Sequence, residues 1–121
     1  MLVAACGTLD PVDETRGWSA QKIYSEAKDN LNSGNYTEAI KYYGKLEARY
    51  PYSRLAQQAQ IDTAYAYYKD HELPQAIAAA DRFIKMYPNH PNVDYIFYLK
   101  GLIHFNDELG WTGIVGGQDL R

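Results

Sequence analysis

The sequence predicts an all-α fold made of helix-turn-helix units that repeat every 37 residues. Apolar and aromatic residues recur at steps of three and four along most of the chain, which is typical of amphipathic helices. Ala27, Ala64 and Gly101 are each 37 residues apart, and so are Pro51 and Pro88. About two and a half units fit in the chain, and we expect their helix pairs to stack side by side.

The composition excludes several classes of protein. The 121 residues are enough for one helical domain. Twelve basic and 15 acidic residues give a net charge of −3 without a basic run, which argues against a nucleic-acid-binding protein. Tyr is unusually frequent, with 12 residues against 3 Phe. A Tyr ring can be buried while its hydroxyl stays hydrated, so this composition favours half-wet surfaces.

Residues 1–6 resemble the end of a bacterial lipoprotein signal, because Val-Ala-Ala at 3–5 precedes Cys6, the only cysteine. Five residues before Cys6 are too few for a whole export signal, so we interpret them as a remnant; an ordinary apolar N-terminus is the alternative. No stretch has the ~18 apolar residues of a membrane span, so we expect membrane attachment only through a lipid on Cys6. Residues 7–17 contain Pro, Gly and charge without an apolar period, which predicts a flexible tether.

The first unit is predicted over residues 18–51. Ser19 is a suitable N-cap, and Trp18 before it can pack on Ile23 as a hydrophobic staple. Gly34 marks the end of this first helix. The second helix, which ends before a proline, is predicted from Tyr36, Ala39, Ile40, Tyr43, Leu46 and Tyr50.

The second unit is predicted over residues 53–88, and a third begins with a helix over 92–105. Pro74 suits the first turn of the second unit's second helix, where a missing N–H costs nothing. The buried face of that helix is predicted to be Ala76, Ile77, Ala80, Phe83 and Ile84. Residues 106–121 contain four glycines and no amphipathic face, which predicts a loop and a truncated third repeat. We therefore expect a longer array in the whole protein.

The pattern of small, aromatic and proline positions resembles the tetratricopeptide repeat, widened from about 34 residues to 37. It is carried by Ala27, Ala39, Tyr43, Pro51, Ala64, Tyr67, Ala76, Phe83 and Pro88. Between Trp18 and Phe105 the sequence is also similar to the BamD/ComL family of outer-membrane assembly lipoproteins. The strings that carry this resemblance are Trp18-Ser19, Asn35–Ile40, Asp62–Lys69, Asp81–Phe83, His90–Tyr95 and Leu99–Leu102.

This resemblance implies a non-enzymatic scaffold of the machinery that assembles β-barrel proteins in the outer membrane. The family's lipidated cysteine falls on Cys6, which implies a lipid anchor at the periplasmic face. The implied partners are a BamA-like barrel subunit, other assembly lipoproteins and unfolded outer membrane proteins, without a cofactor. The family's N-terminal half is thought to receive the C-terminal segment of unfolded barrel proteins, and a family insertion falls on residues 106–121.

In a tetratricopeptide stack the first helices of successive units line an inner wall. The repeat spacing places these residues there: Tyr24, Lys28, Leu31, Ile61, Tyr65, Tyr68, Lys69, Tyr95, Tyr98, Leu102 and Phe105. Such a surface suits an extended peptide with alternating aromatic side chains, the character of a terminal barrel strand. Lys28 and Lys69 are placed to meet the terminal carboxylate of the peptide. The alternative is that these aromatic residues are core, or are covered by later segments of the chain.

Other chemistry has little support in the sequence. His71, His90 and His104 share no metal-ligand spacing, and no nucleophile motif is present. We therefore expect neither an enzyme nor a metal site. One alternative function is a periplasmic tetratricopeptide protein that coordinates cell-envelope constriction or peptidoglycan machinery. The other is a hydrolase, which requires a deep polar pocket with a His or carboxylate pair.

Overall fold

The structure, a computed structural model, describes the backbone of residues 13–112 and the side chains of residues 13–106. This part of the chain contains five helices and no strand, which confirms the all-α prediction. The helices are α1 (Ala20–Asn32), α2 (Tyr36–Arg49), α3 (Arg54–Lys69), α4 (Leu73–Met86) and α5 (Val93–Thr112). The predicted signal remnant over 1–6 with Cys6, the tether over 7–12 and the loop over 113–121 lie outside the described residues.

The helices stack in the order of the chain. Each helix packs against the next one, and α3 also contacts both α1 and α5. The first helices of the three units, α1, α3 and α5, therefore lie side by side, and α2 and α4 pack behind them. This is the arrangement of a tetratricopeptide-like helical repeat. None of the described helices combines the length and the apolar composition needed to cross a bilayer.

Local signals explain where α1 begins and ends. Ser19 Oγ accepts a hydrogen bond from the Lys22 backbone N–H at 3.1 Å, which confirms the predicted N-cap. Gly34 has a φ of +83°, a left-handed conformation that favours glycine, and it lets the chain turn into α2. Trp18 stacks on Tyr42 of α2, with ring centroids 6.2 Å apart. Ser19 therefore caps the N-terminus of α1, and Trp18 just before it packs against α2.

The core consists of two clusters, one for each pair of neighbouring units. The first contains Ile23, Ala27, Leu31, Ala39, Tyr42, Tyr43, Leu46, Ala59 and Ala66. The second contains Ile61, Ala64, Ala76, Ala80, Phe83, Ile96, Leu99 and Ile103. Because α3 contributes residues to both clusters, it connects the two parts of the core.

Residues 13–17 pack on α2, so the prediction of a flexible tether was wrong for its last five residues. Arg49 Nη2 lies 2.7 Å from Asp13 Oδ2 and 3.0 Å from Thr15 Oγ1. Lys45 Nζ lies 3.2 Å from Asp13 Oδ1, and Thr15 is fully buried. Polar contacts rather than an apolar face hold this segment, so hydrophobic periodicity gave no sign of it.

Asp13 makes the stability of this segment depend on pH. Hydrogen bonds from Thr15, and then the neighbouring Lys45, hold the pKa of the Asp13 carboxyl well below its ordinary value. A carboxyl whose pKa is lowered in the folded state contributes stability above its unfolded pKa of about 4 and loses it as the pH falls further. We therefore expect the melting temperature of the unmodified chain to fall more steeply below pH ~4 than that of Asp13→Asn.

The measurement is thermal unfolding followed by circular dichroism across this pH range. Asp29→Asn, at an exposed position of α1, is the matched control and should keep the pH slope of the unmodified chain. Equal slopes for the unmodified chain and Asp13→Asn would contradict the assigned role of Asp13.

Helix α5 continues to Thr112, so the prediction of a loop from residue 106 was wrong for its first seven residues. Asn106 Nδ2 donates to the Leu102 carbonyl at 2.9 Å and to Tyr68 Oη at 2.8 Å. The bond to Tyr68 fastens α5 to α3 at the point where the sequence predicted a break, and the bond to Leu102 lies within α5. Gly110 does not end the helix, because one glycine inside a helix costs only about 1 kcal/mol.

Candidate peptide-binding face

The face formed by α1, α3 and α5, here called the inner face, contains a cavity of about 460 Å³. Its lining comes from all three helices and from the turn before α5: Lys28, Leu31, Asn32, Gln58, Ile61, Asp62, Tyr65, Asn92 and Tyr95. Five residues predicted from the repeat spacing are among them, namely Lys28, Leu31, Ile61, Tyr65 and Tyr95. The structure therefore brings together residues that are up to 67 positions apart in the sequence.

Two of these predicted residues are buried. Leu31 is 6% exposed and Ile61 is 3% exposed, and each belongs to one of the two core clusters. They support the bottom of the cavity and leave little surface for a ligand. For these two positions the structure fits the alternative that residues at helical spacing are core.

The α5 ridge, defined as Tyr95, Tyr98, Leu102 and Phe105, is the most open part of the inner face. Tyr95, Tyr98 and Phe105 are 39%, 63% and 59% exposed, and Leu102 is half-buried. Their spacing of three and four residues places them in one row along the helix. Phe97 is also 53% exposed on α5 and was not predicted. The ridge presents aromatic rings to solvent next to the cavity that Tyr95 lines.

Tyr65 and Tyr68 continue the aromatic surface on α3. Their ring centroids are 6.5 Å apart and the rings are tilted by 48°. Both residues are half-buried. Burial raises the pKa of Tyr95 above its ordinary value, and the neighbouring Tyr65 adds to the rise. Tyr65 of α3 and Tyr95 of α5 line the same cavity, so the aromatic surface continues from one helix to the other.

Asp62 is the buried polar centre beneath this surface. Its Oδ2 accepts hydrogen bonds from Tyr24 Oη at 2.9 Å and from Tyr43 Oη at 2.8 Å. Its Oδ1 accepts one from Gln58 Nε2 at 3.0 Å, and Lys28 Nζ lies 3.6 Å from Oδ2. We call these five residues the Asp62 cluster. It joins α1, α2 and α3, and so connects the first unit to the second.

The Asp62 cluster changes what two predicted groove residues can do. The Tyr24 hydroxyl donates inward, and burial together with the Asp62 charge raises the pKa of Tyr24 and of Tyr43. The Lys28 ammonium is balanced by Asp62, so a ligand carboxylate there would compete with an existing ion pair. Lys69 is exposed at the end of α3 and does not line the cavity. The two lysines predicted to meet one carboxylate are thus in different surroundings.

The repeat spacing alone does not indicate the Asp62 cluster, but a comparison of equivalent positions in successive repeats does. One period after Tyr43 and Asp62 stand Ala80 and Leu99, both buried and apolar. A polar pair at positions that are apolar in the next repeat indicates a buried hydrogen bond between them.

Metal chemistry has no visible support in the described residues. No group of three or more His, Cys, Asp or Glu side chains in residues 13–106 is arranged to hold a metal ion. The inner face combines aromatic ring surface with a cavity whose lining includes one ion pair, Lys28 and Asp62, and amide side chains such as Gln58.

Comparison with known proteins gives a consistent result. A family model described as "YfiO: Outer membrane lipoprotein" matches residues 17–112. The chain is 50% identical to the outer membrane protein assembly factor BamD of Neisseria meningitidis serogroup B, over 98% of this chain and 46% of that protein. Proteins of the same name match from Vibrio cholerae, at 39% over 83% and 42%, and from Xylella fastidiosa, at 33% over 99% and 41%. The chain thus spans less than half the length of these curated relatives.

Proposed function

We propose a function from the premise that the chain belongs to the YfiO family of outer membrane lipoproteins, the BamD/ComL family. The relatives are named outer membrane protein assembly factors. We assign the same role to this chain: a non-enzymatic scaffold of the machinery that inserts β-barrel proteins into the outer membrane. Its ligands on the inner face are extended C-terminal segments of unfolded outer membrane proteins.

The α5 ridge beside the inner cavity is the observation that carries this proposal. Terminal strands of outer-membrane barrels alternate aromatic or apolar residues with polar ones. An extended segment laid along α5 would place alternate side chains against Tyr98 and Phe105, and would reach the cavity at Tyr95. Each well-buried ring contributes on the order of 1.5–3 kcal/mol before the cost of ordering the peptide.

The same proposal includes a membrane anchor and partner subunits. A lipid on Cys6 would hold the protein at the periplasmic face of the outer membrane. Because residues 13–17 pack on α2, the six residues 7–12 separate this lipid from the folded part, and they span at most about 22 Å. A BamA-like barrel subunit and other assembly lipoproteins would be the neighbours at the membrane. Detection of a lipid-modified Cys6 by mass spectrometry of the mature protein tests the anchor.

Removing the Tyr98 ring should weaken binding of a barrel-derived peptide. We expect Tyr98→Ala to reduce affinity by about 1–2 kcal/mol, roughly five- to thirty-fold, because an open ring at the centre of the ridge loses its contact area. The measurement is fluorescence anisotropy of a labelled decapeptide that has the C-terminal sequence of an outer-membrane barrel, with a scrambled decapeptide beside it.

Tyr52→Ala is the matched control, because Tyr52 is 95% exposed in the turn between α2 and α3 and lies outside the inner cavity. It should leave the affinity unchanged. Equal losses at the two tyrosines, or equal binding of the scrambled peptide, would argue against the inner face as the peptide site. Amidation of the peptide's C-terminus should change affinity by less than about 1 kcal/mol, since exposed ion pairs contribute little and Lys28 is already paired.

A further inference from the structure

One edge of the molecule brings together the start of the described chain and two turns between helices. Residues 13–18 pack against the end of α2, where the Tyr50 hydroxyl donates to the Trp18 carbonyl at 2.7 Å. The turn over 50–53 follows α2, and the turn over 87–92 follows α4. Residues of both turns line one depression, so the two turns lie at the same end of the stack. We call these three segments the N-terminal edge.

The N-terminal edge has an excess of exposed positive charge. Of the 11 Lys and Arg side chains in residues 13–106, six take part in ion pairs and five exposed ones do not. Four of these five lie at the edge or in the helix turn beside it: Arg16, Lys22, Arg54 and Lys85. The fifth, Lys69, is at the opposite end of α3. Of the carboxylates outside these ion pairs, Glu14 and Asp94 lie equally near the edge. The edge is therefore locally positive, although the whole chain has a net charge of −3.

Tyr52 is the exposed aromatic residue of the N-terminal edge. Its side chain is 95% exposed, more than that of any other large hydrophobic residue described. Pro51 beside it is also exposed. Tyr is enriched where a bilayer meets water, because its ring can enter the headgroup region while its hydroxyl stays hydrated. Cations are attracted to the anionic headgroups of the same region. A cationic edge with one exposed Tyr therefore has the composition of a membrane-contacting surface.

The structure also limits the distance between this edge and the proposed lipid anchor. Asp13 is the first described residue, and Arg49 fixes it to the end of α2. Residues 7–12, which separate it from Cys6, span at most about 22 Å. The opposite end of the stack lies further away by the length of α3, which is about 24 Å for 16 residues. The N-terminal edge is thus the part of the fold nearest the anchor.

We propose that the N-terminal edge lies on the surface of a bilayer that contains anionic phospholipid. Arg16, Arg54 and Lys85 would contact the headgroups, and the Tyr52 ring would enter the headgroup region. The proposal rests on the proposed anchor for the nearness of the membrane. Because helix ends form this edge, the helices would stand on the bilayer. The inner face, which runs along the helices, would remain open at the side.

The first test supplies the anchor chemically. Cys6 is the only cysteine, so its thiol couples specifically to a maleimide lipid in vesicles of phosphatidylethanolamine and phosphatidylglycerol. The whole chain carries a photoreactive phenylalanine analogue at position 52 in one variant and at position 69 in another. After irradiation, mass spectrometry should detect at least fivefold more lipid adducts from position 52. Position 69 is the matched control, because it is exposed at the far end of α3.

The second test measures the charge contribution without an anchor. The whole chain, with Cys6 blocked by N-ethylmaleimide, is sedimented with the same vesicles at low salt. Arg54→Gln should lower the partition coefficient about fivefold, since each cation near an anionic surface adds a similar factor. Lys69→Gln should leave it unchanged. Tyr52→Ala should also lower it, whereas Tyr52→Trp should retain it, because Trp also favours the interface.

Three results would each overturn the proposal. They are equal lipid adducts from positions 52 and 69, equal partition of Arg54→Gln and Lys69→Gln, and undiminished binding when phosphatidylcholine replaces phosphatidylglycerol. The maleimide link takes the place of the natural lipid, so these results do not depend on whether Cys6 is lipidated in the cell. They are also independent of peptide binding at the inner face, which the Tyr98 variant measures separately.

Discussion

Asp62→Ala should lower the free energy of unfolding by about 2–4 kcal/mol, the larger part of which comes from groups left without partners. The hydroxyl of Tyr43, a fully buried residue, would lose the acceptor that lies 2.8 Å away. The Tyr24 hydroxyl and the Lys28 ammonium would lose the same carboxylate oxygen. Because the cluster joins α1, α2 and α3, the loss weakens the packing of the first unit on the second.

Graded variants separate this effect from a general loss of packing. Asp62→Asn keeps the shape and one carbonyl acceptor, so it should cost less, about 1–2 kcal/mol. Tyr43→Phe should cost a similar amount, and the double variant should cost less than the sum of the two, since both remove one interaction. The measurement is urea unfolding followed by circular dichroism. Asp29→Asn at an exposed position should stay within about 0.5 kcal/mol. An effect of Asp62→Ala no larger than that of Asp29→Asn would contradict the assigned role of Asp62.

Phe83→Ala should lower the free energy of unfolding by about 3–5 kcal/mol, because it removes a ring from the centre of the second core cluster. Phe83 is fully buried. Its ring lies 5.4 Å from that of Tyr87 and 5.1 Å from that of His90, between centroids. These contacts connect the end of α4 to the turn that leads into α5, so the third helix of the inner face should loosen as well.

Phe97→Ala is the matched control for Phe83→Ala, since the same ring is removed from a position that is 53% exposed. Its cost should be below about 1 kcal/mol. Both values are obtained from urea unfolding under the same conditions. If the two variants were equally destabilised, the burial assigned to Phe83 would be wrong.

Repeat spacing and helix-end signals predicted the described helices well, because in this chain these signals are local. Ser19 and Gly34 define α1 through a side-chain cap and a left-handed turn, as the sequence indicated. Pro74 lies in the first turn of α4, where a backbone N–H would have no partner within the helix, so its absence breaks no helical hydrogen bond. Each of these features depends on residues within one helical turn, so one sequence is sufficient to find it.

Repeat spacing and helix-end signals did not show which residues of the inner face are exposed and which are buried. Leu31 stands two repeat periods before Phe105, and Ile61 stands one period before Tyr98. In each pair the first residue belongs to the core and the second is exposed. The difference arises because α1 and α3 are each followed by the second helix of their own unit and by the next unit, whereas no helix follows α5 in the described part of the chain. Burial here depends on the neighbours in the stack, which the period of the sequence does not contain.

Hydrophobic periodicity also gave no information about polar contacts between residues that are distant in the sequence. Asp13 and Arg49 are 36 residues apart, and Asn106 and Tyr68 are 38 apart. Such pairs have no apolar stripe, so the segments that they hold were predicted as a tether and a loop. The Asp62 cluster is of the same kind, and only the change from Tyr43 and Asp62 to Ala80 and Leu99 in the next repeat pointed to it.

Photo-crosslinking is the most direct measurement of whether the inner face binds barrel-derived segments. A photoreactive phenylalanine analogue is placed at position 98 in one variant and at position 52 in another, and each is irradiated with the barrel C-terminal decapeptide or its scrambled form. If the inner face binds these segments, position 98 should crosslink to the native decapeptide, with no crosslink above background from position 52 or to the scrambled peptide. Equal crosslinking from both positions, or to both peptides, would contradict binding at the inner face.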